Sequence, residues 1–399
     1  MKLTFTKSTL ESVVNDSLCS VSDKNTIPVV EGIRFRTEKG DVCSLTTYDL
    51  EKGFRAEVGC EVEEPGNFVI NAQKLNRIIK YMPDEYITIE VNENFVAEIT
   101  GGRSKFELHA LDGKTFPSLP ELDGEKGFTV NAGILRKMIN QVFFAISTTD
   151  QRPVLCGAYF IIENGRLNIV ACDGNRLAVR KKSCEIINNN KDNTELELKF
   201  IVPGRTLAQL VKLMDDDSDV RIKLGRKHVI FKMDGKTFFS RLIDGEYIDY
   251  DRVIPKNAGI KVVTDRMSII SSLERASLVT EDKNVGQTKS YVKCEFEGNL
   301  LKVSSNSITG SVYDEIPIEK TGDDLTIAFN CRYLLEALRA ADGDRLSLMF
   351  VNPLVSVIIE KEENDTEGEA GAQKQASAEE DGEPDESYLY MVCPVKMKD

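Results

Sequence analysis

Pro28-Val29-Val30-Glu31-Gly32 returns 125 residues later as Pro153-Val154-Leu155-Cys156-Gly157. A second motif occurs three times: Gly40-Asp41-Val42-Cys43-Ser44-Leu45, Gly165-Arg166-Leu167-Asn168-Ile169-Val170 and Gly298-Asn299-Leu300-Leu301-Lys302-Val303. Leu111-Asp112-Gly113-Lys114-Thr115-Phe116 is echoed by Ile243-Asp244-Gly245-Glu246-Tyr247-Ile248. A period of about 125 to 133 residues is the size of a domain, too long for a solenoid unit. The 399-residue chain therefore reads as three copies of one module, residues 1–125, 126–256 and 257–399.

Each module divides again into two halves that read strand, helix, strands. Leu10, Val13 and Val14 begin the first helical pattern, and Leu75, Ile78, Ile79 and Met82 form the second at i, i+3, i+4, i+7. Leu135, Met138, Ile139 and Val142 repeat the spacing, as do Leu207, Leu210, Val211 and Met214. Ile269, Ile270 and Leu273 give a fifth pattern, and Leu334, Leu335 and Leu338 a sixth. Asn71, Asn131 and Asn330 stand at N-cap positions, and Pro83 stops the second helix. Between the helices lie alternating runs such as Val220-Arg221-Ile222-Lys223-Leu224 and His228-Val229-Ile230-Phe231-Lys232, which predict antiparallel hairpins. The expected class is α+β, with two helices per module packed on antiparallel sheet.

Composition narrows the function. The chain carries 41% hydrophobic residues, enough to fill cores of this size. No apolar run reaches membrane-spanning length, and Met1 to Thr6 lacks the apolar core of a signal peptide. Nine cysteines without a CxxC pair suit a reducing cytoplasm, so cytoplasmic localisation is expected. The net charge of −14 is unevenly spread: Glu360 to Ser387 holds 12 acidic and 2 basic residues, leaving about −4 for everything else. Residues 361–387 contain no aromatic until the following Tyr388, and this composition predicts a disordered acidic insert in a hairpin.

No phosphate loop, GxGxxG, HExxH or GxSxG motif occurs, and two histidines cannot build a histidine-rich metal site. Asp215-Asp216-Asp217-Ser218-Asp219 lacks the Gly and Glu of a calcium loop, since Val220 and Arg226 hold those places. A solvated turn is the simpler expectation, with a carboxylate–metal hydrolase as an alternative. Neither a cofactor nor a resident metal is expected. Basic residues recur instead on matching helices: Lys74, Arg77 and Lys80 on the second, Arg136 and Lys137 on the third, Arg205 and Lys212 on the fourth, Arg332 and Arg339 on the sixth. Solvated helix faces explain each stripe alone, but their recurrence points to phosphate.

Three stretches together resemble the bacterial sliding-clamp family, the β subunit of the replicative DNA polymerase: Asp173-Gly174-Asn175-Arg176-Leu177-Ala178-Val179, Asp244 to Lys256, and Tyr390-Met391-Val392-Cys393-Pro394-Val395. Thr47-Tyr48-Asp49-Leu50-Glu51 and Gly102-Arg103-Ser104-Lys105-Phe106 match it as well. The resemblance implies a head-to-tail homodimer that closes a ring of six modules around duplex DNA, with helices inside and no base readout. It implies a non-catalytic processivity factor that tethers the replicative polymerase subunit, a clamp loader, and replication and repair proteins bearing short clamp-binding peptides. A DNA-binding scaffold that never encircles DNA is the alternative. No membrane partner is implied.

By matching position, the resemblance also assigns sites. The peptide pocket would comprise Leu155, Cys172, Gly174, Asn175, Arg176, Leu177, Ile248, Arg252, Val253, Leu354, Ser356 and Met391, Val392, Cys393, Pro394, Val395, Lys396 and Met397. Arg176 and Arg252 are expected to rim it. Lys24 and Arg152 join the helix stripes as DNA contacts. At the dimer seam, Lys74, Arg103, Lys105 and Phe106 would meet Leu278 and Val279 of the second copy. Asn175 stands where a histidine is common in the family, Ile248 where a proline is common, and Cys393 and Val395 where methionines are frequent.

Overall fold

The computed structural model describes residues 1–22, 27–37, 40–121, 126–149, 151–163, 165–190, 196–280, 291–307, 310–362 and 386–397. Among them are six α-helices: α1 Lys7–Ser17, α2 Ala72–Tyr81, α3 Ala132–Phe143, α4 Gly204–Leu213, α5 Arg266–Thr280 and α6 Cys331–Ala340. They bury the apolar positions that the spacing predicts, including Leu75 and Ile79 on α2 and Leu334, Leu335 and Leu338 on α6. Three asparagines cap helices at equivalent places. Asn71 accepts the N–H of Lys74 at 3.0 Å, Asn131 that of Ile134 at 3.1 Å, and Asn330 that of Tyr333 at 3.3 Å.

The repeated motif has a packing reason. Pro28–Glu31 and Pro153–Cys156 each form a 3₁₀ turn that leads into a strand. The strand then begins at glycine because its partner lies too close for a side chain. A Cβ on Gly32 would fall 2.9 Å from the Ile70 carbonyl oxygen, and one on Gly157 would fall 2.5 Å from that of Val202. The second motif marks hairpin turns, where Gly40, Gly165 and Gly298 have φ of +80°, +71° and +53°.

Strand pairing is antiparallel throughout the named ladders and crosses the module joints. A ten-stranded sheet continues from Lys52–Gly59 of the first module into Lys236–Arg241 of the second, with Phe54 opposite Phe238. A nine-stranded sheet continues from Arg176–Ser183 of the second module into Glu386–Val392 near the chain end, with Leu177 opposite Met391. The middle module is therefore shared. One compact unit comprises Met1–Arg136, Glu185–Leu196 and Arg205–Leu242, and the other comprises Lys137–Cys184, Glu197–Gly204 and Ile243–Asp399. Each unit has a second, smaller sheet. In the first unit it is five-stranded and ends at Ser104–His109; in the second it is four-stranded and ends at Ser311–Pro317.

Of the acidic insert expected at residues 361–387, residues 363–385 lie outside the described residues; at its ends Lys361 closes the strand Val357–Lys361, and Glu386 and Ser387 open the strand Glu386–Val392.

Candidate partner-binding cleft and nucleic-acid face

The candidate cleft lies in the second unit where the strand Arg166–Cys172 turns into Arg176–Ser183. Asp173 forms the turn: its Oδ1 accepts the main-chain N–H groups of Asn175 at 2.9 Å and Arg176 at 2.8 Å. Gly174 sits at φ +87°, and a Cβ there would come within 3.4 Å of the Arg152 guanidinium. Side chains alternate along the returning strand. Leu177 and Val179 enter an apolar cluster with Leu155, Cys172, Tyr247, Ile358 and Met391, and Ile248 packs against it. Cys172 is buried, and that burial pushes its thiol above its ordinary value.

Strand alternation turns the Arg176 side chain away from this cluster. Its guanidinium points to the opposite, helix-bearing face. There it donates to Asp173 Oδ2 at 2.9 and 2.8 Å, pairs with Glu336, and lies 4.1 Å from the Tyr333 ring centre and 5.6 Å from that of Phe144. Val392 stands directly opposite Arg176, is fully buried and shares that face. Neither side chain lines the cluster. The arginine beside the Gly174 turn is Arg152, which the resemblance assigns to DNA. Its position depends on a loop fold that carries no local signal.

Other expected members do gather at the cleft end of the sheet. Cys393 donates its N–H to the Asn175 carbonyl at 2.8 Å and receives the Ser356 hydroxyl at 3.3 Å. Pro394 bridges to Phe329, and the Val395 N–H reaches the Ala328 carbonyl at 2.8 Å, so the chain end is pinned by main-chain bonds. Lys396 and Met397 are exposed beyond it. Val253 is 50% exposed and Leu354 79% exposed, whereas Arg252 reaches into solvent and pairs with Asp249 at 2.8 Å. Large exposed apolar side chains beside a buried apolar cluster form a surface suited to an apolar peptide anchor.

The basic stripes separate into two kinds. Lys74, Arg77 and Lys80 on α2, and Arg205 and Lys212 on α4, are exposed. Arg332 and Arg339 on α6 are exposed too but pair with Glu336 and Glu274, each at 2.8 Å. Lys137 pairs with Asp342 at 2.8 Å. Arg136 is half-buried, donates to the Met214 carbonyl and pairs with Asp216 at 3.1 Å, which ties α3 to the aspartate turn after α4. That bond gives Asp216 a structural partner, and among the described residues no group of three or more His, Cys, Asp or Glu side chains could hold a metal ion. Lys24 lies outside the described residues. No described helix is long and apolar enough to cross a membrane.

Of the seam residues, Lys105 pairs with Glu98 at 2.7 Å and Glu107 at 3.5 Å, and Arg103 is exposed. Phe106, 41% exposed, lies on the edge strand Ser104–His109. Leu278, 83% exposed, and the half-buried Val279 lie near the end of α5.

Comparison with known proteins identifies the family. Family models for the N-terminal, central and C-terminal domains of the DNA polymerase III beta subunit match residues 1–120, 129–249 and 251–370. The beta sliding clamp of Staphylococcus epidermidis is 31% identical over 92% of this chain and 97% of its own length, and that of Bacillus subtilis is 29% identical over the same shares. Among solved structures, a putative DNA polymerase III beta subunit from Eubacterium rectale superposes with a TM-score of 0.86 at 25% identity, and the B. subtilis sliding clamp with 0.85 at 26%, each over the full length of both chains. The chain, with its three clamp domains of helices on antiparallel sheet, belongs to the DNA polymerase III beta subunit family, the bacterial beta sliding clamps.

Proposed function

We propose that this chain is a processivity factor: a homodimer that closes a ring around duplex DNA, slides without reading sequence, and tethers the replicative polymerase through the cleft at the Gly174 turn. The observation that carries the reading is the recurrence of exposed basic side chains on α2, α4 and α6, one helix from each module. Such charges bind phosphate at any sequence by displacing counterions, and they place no group against base edges. A ring also needs matching ends. The smaller sheet of each unit finishes in an exposed edge strand, Ser104–His109 in one and Ser311–Pro317 in the other. Edge strands of this kind pair with a second copy.

In this reading the protein performs no catalysis, uses no cofactor and works in the cytoplasm. A separate ATP-driven loader opens the ring, and loader, polymerase and repair proteins take turns at one cleft through short peptides. The test is topological. Protein assembled on nicked circular duplex by a clamp loader should stay bound through a high-salt wash and leave when the circle is cut once. Equal loss from circular and linear DNA would replace the ring with an ordinary DNA-binding scaffold.

A further inference from the structure

The cleft contains a polar atom that the apolar reading leaves without a task. Tyr247 is 8% exposed, belongs to the cluster with Leu155, Leu177 and Met391, and stacks on Tyr159 with ring centres 4.9 Å apart. Its hydroxyl oxygen is buried and makes no hydrogen bond among the described residues. The Cys172 main chain is close enough to influence the hydroxyl but makes no hydrogen bond with it. Tyrosines that bury this deeply ordinarily find a partner for the O–H, because an orphaned one forfeits its hydration without return.

The internal repeat supplies a control. Tyr247 occupies the place of Thr115 in the first module, within the echoed motif. Thr115 is exposed, and its hydroxyl donates to the Asp112 carbonyl at 2.6 Å. The first-unit cluster, with Val30 at the place of Leu155 and Phe116 at that of Ile248, does not include Thr115. Of the two copies of this motif, the first has the position satisfied and the second, beside the candidate cleft, leaves it orphaned.

We infer that the Tyr247 hydroxyl is a specificity-determining donor for the bound peptide: it meets a carbonyl oxygen that the peptide brings in beside its apolar anchor. The inference rests on the peptide-cleft reading above. In the unliganded protein the donor stands without an acceptor. The bound peptide supplies one. Binding therefore relieves a cost already present in the fold, and an apolar ligand without a suitably placed carbonyl is discriminated against.

The test compares the full-length protein with Tyr247→Phe and, as a cleft control, Leu354→Arg, using an acetylated hexapeptide ending in Leu-Phe as the probe. Tyr247→Phe should bind the peptide about tenfold more weakly. It should melt at the same temperature or higher, because the phenyl ring has no orphaned group. Affinity within about twofold of the parent overturns the inference. A lower melting temperature also overturns it, whatever the affinity does, since it would show that the hydroxyl has a partner inside the protein. Leu354→Arg separates the two levels. If it abolishes binding while Tyr247→Phe does not weaken it, only the donor role fails. If it leaves binding unchanged, the cleft reading itself fails.

Discussion

The guanidinium of Arg176 lies 4.1 Å from the centre of the Tyr333 ring, on the sheet face that carries the helices. It joins the turn before its own strand, through Asp173, to α6, through Glu336 and Tyr333. The residue next to it, Leu177, points the other way into the cleft cluster. One strand start thus serves two purposes: its even side chain fastens the C-terminal module's helix to the middle module's sheet, and its odd side chain enters the apolar cluster under the proposed binding surface.

Removing Arg176 should therefore act on stability first. Its side chain is 8% exposed and Asp173's is 9%, so Arg176→Ala would strand a buried carboxylate. Losses of this kind run to about 3 kcal/mol or more. Denaturant unfolding should register the drop, and Arg176→Lys should recover only part of it because a lysine cannot hold two carboxylates in one plane. Peptide affinity measured well below the unfolding transition should change little.

Acid should weaken the same unit through Asp342. Burial alone would raise this carboxyl, but hydrogen bonds from Lys137 and Gln141 outweigh it and hold it below the ordinary carboxylate range. A group depressed in the folded state contributes stability that is present above its unfolded value and is lost as pH falls through the folded one. Melting temperatures recorded from about pH 6 down to about pH 3 should fall more steeply for the parent than for Asp342→Asn. Parallel curves would exclude Asp342 from the acid response.

Phe106 tests the seam. It is the large apolar side chain exposed on the edge strand Ser104–His109, where the flanking Lys105 is already held by Glu98 and Glu107. Truncating a central aromatic anchor costs about 2 kcal/mol or more, a weakening of roughly thirtyfold. Sedimentation of Phe106→Ala at sub-micromolar concentration should show more monomer than the parent. An unchanged dimer would place the contact elsewhere.

Much of this architecture is local and therefore legible in the chain. Asn71, Asn131 and Asn330 cap helices because a short polar side chain before an apolar-periodic run has one good use. The Gly32 and Gly157 positions recur because antiparallel neighbours crowd them. The continuity of the sheets across module joints is different. Phe54 meets Phe238, and Leu177 meets Met391, over separations that no periodicity encodes. The direction of Arg176 is readable in principle: if Leu177 faces the cleft, strand alternation sends Arg176 away from it. Arg152 beside Gly174 carries no such signal.

The basic stripes should divide under charge reversal. Arg205 and Lys212 are exposed on α4, and no ion pair is seen for either among the described residues. Arg205→Glu with Lys212→Glu should leave melting unchanged and make the salt dependence of DNA binding shallower, by up to about 0.9 in slope for each phosphate no longer neutralised. Arg332→Glu with Arg339→Glu should also lower stability slightly, because each now faces an acidic former partner, Glu336 or Glu274. Equal salt slopes in parent and both variants would remove these helices from the DNA path.

The chain end offers the sharpest contrast between a structural and a binding role. Residues Lys396 and Met397 are exposed, whereas Val392 is fully buried and paired with both Arg176 and Val357. Cys393 and Val395 each give a main-chain N–H to a neighbouring segment at 2.8 Å. Deleting from Lys396 onward should therefore keep the fold and the dimer, and any loss of peptide binding would report direct contact by the last residues. Deleting from Val392 onward removes a core side chain and both main-chain bonds. The burial of one valine and two hydrogen bonds together contribute about 3 kcal/mol. That variant should melt markedly lower, and its failure to bind a peptide would say nothing about contact. Comparable melting of the two deletions would show that the strand Glu386–Val392 holds without its last residue.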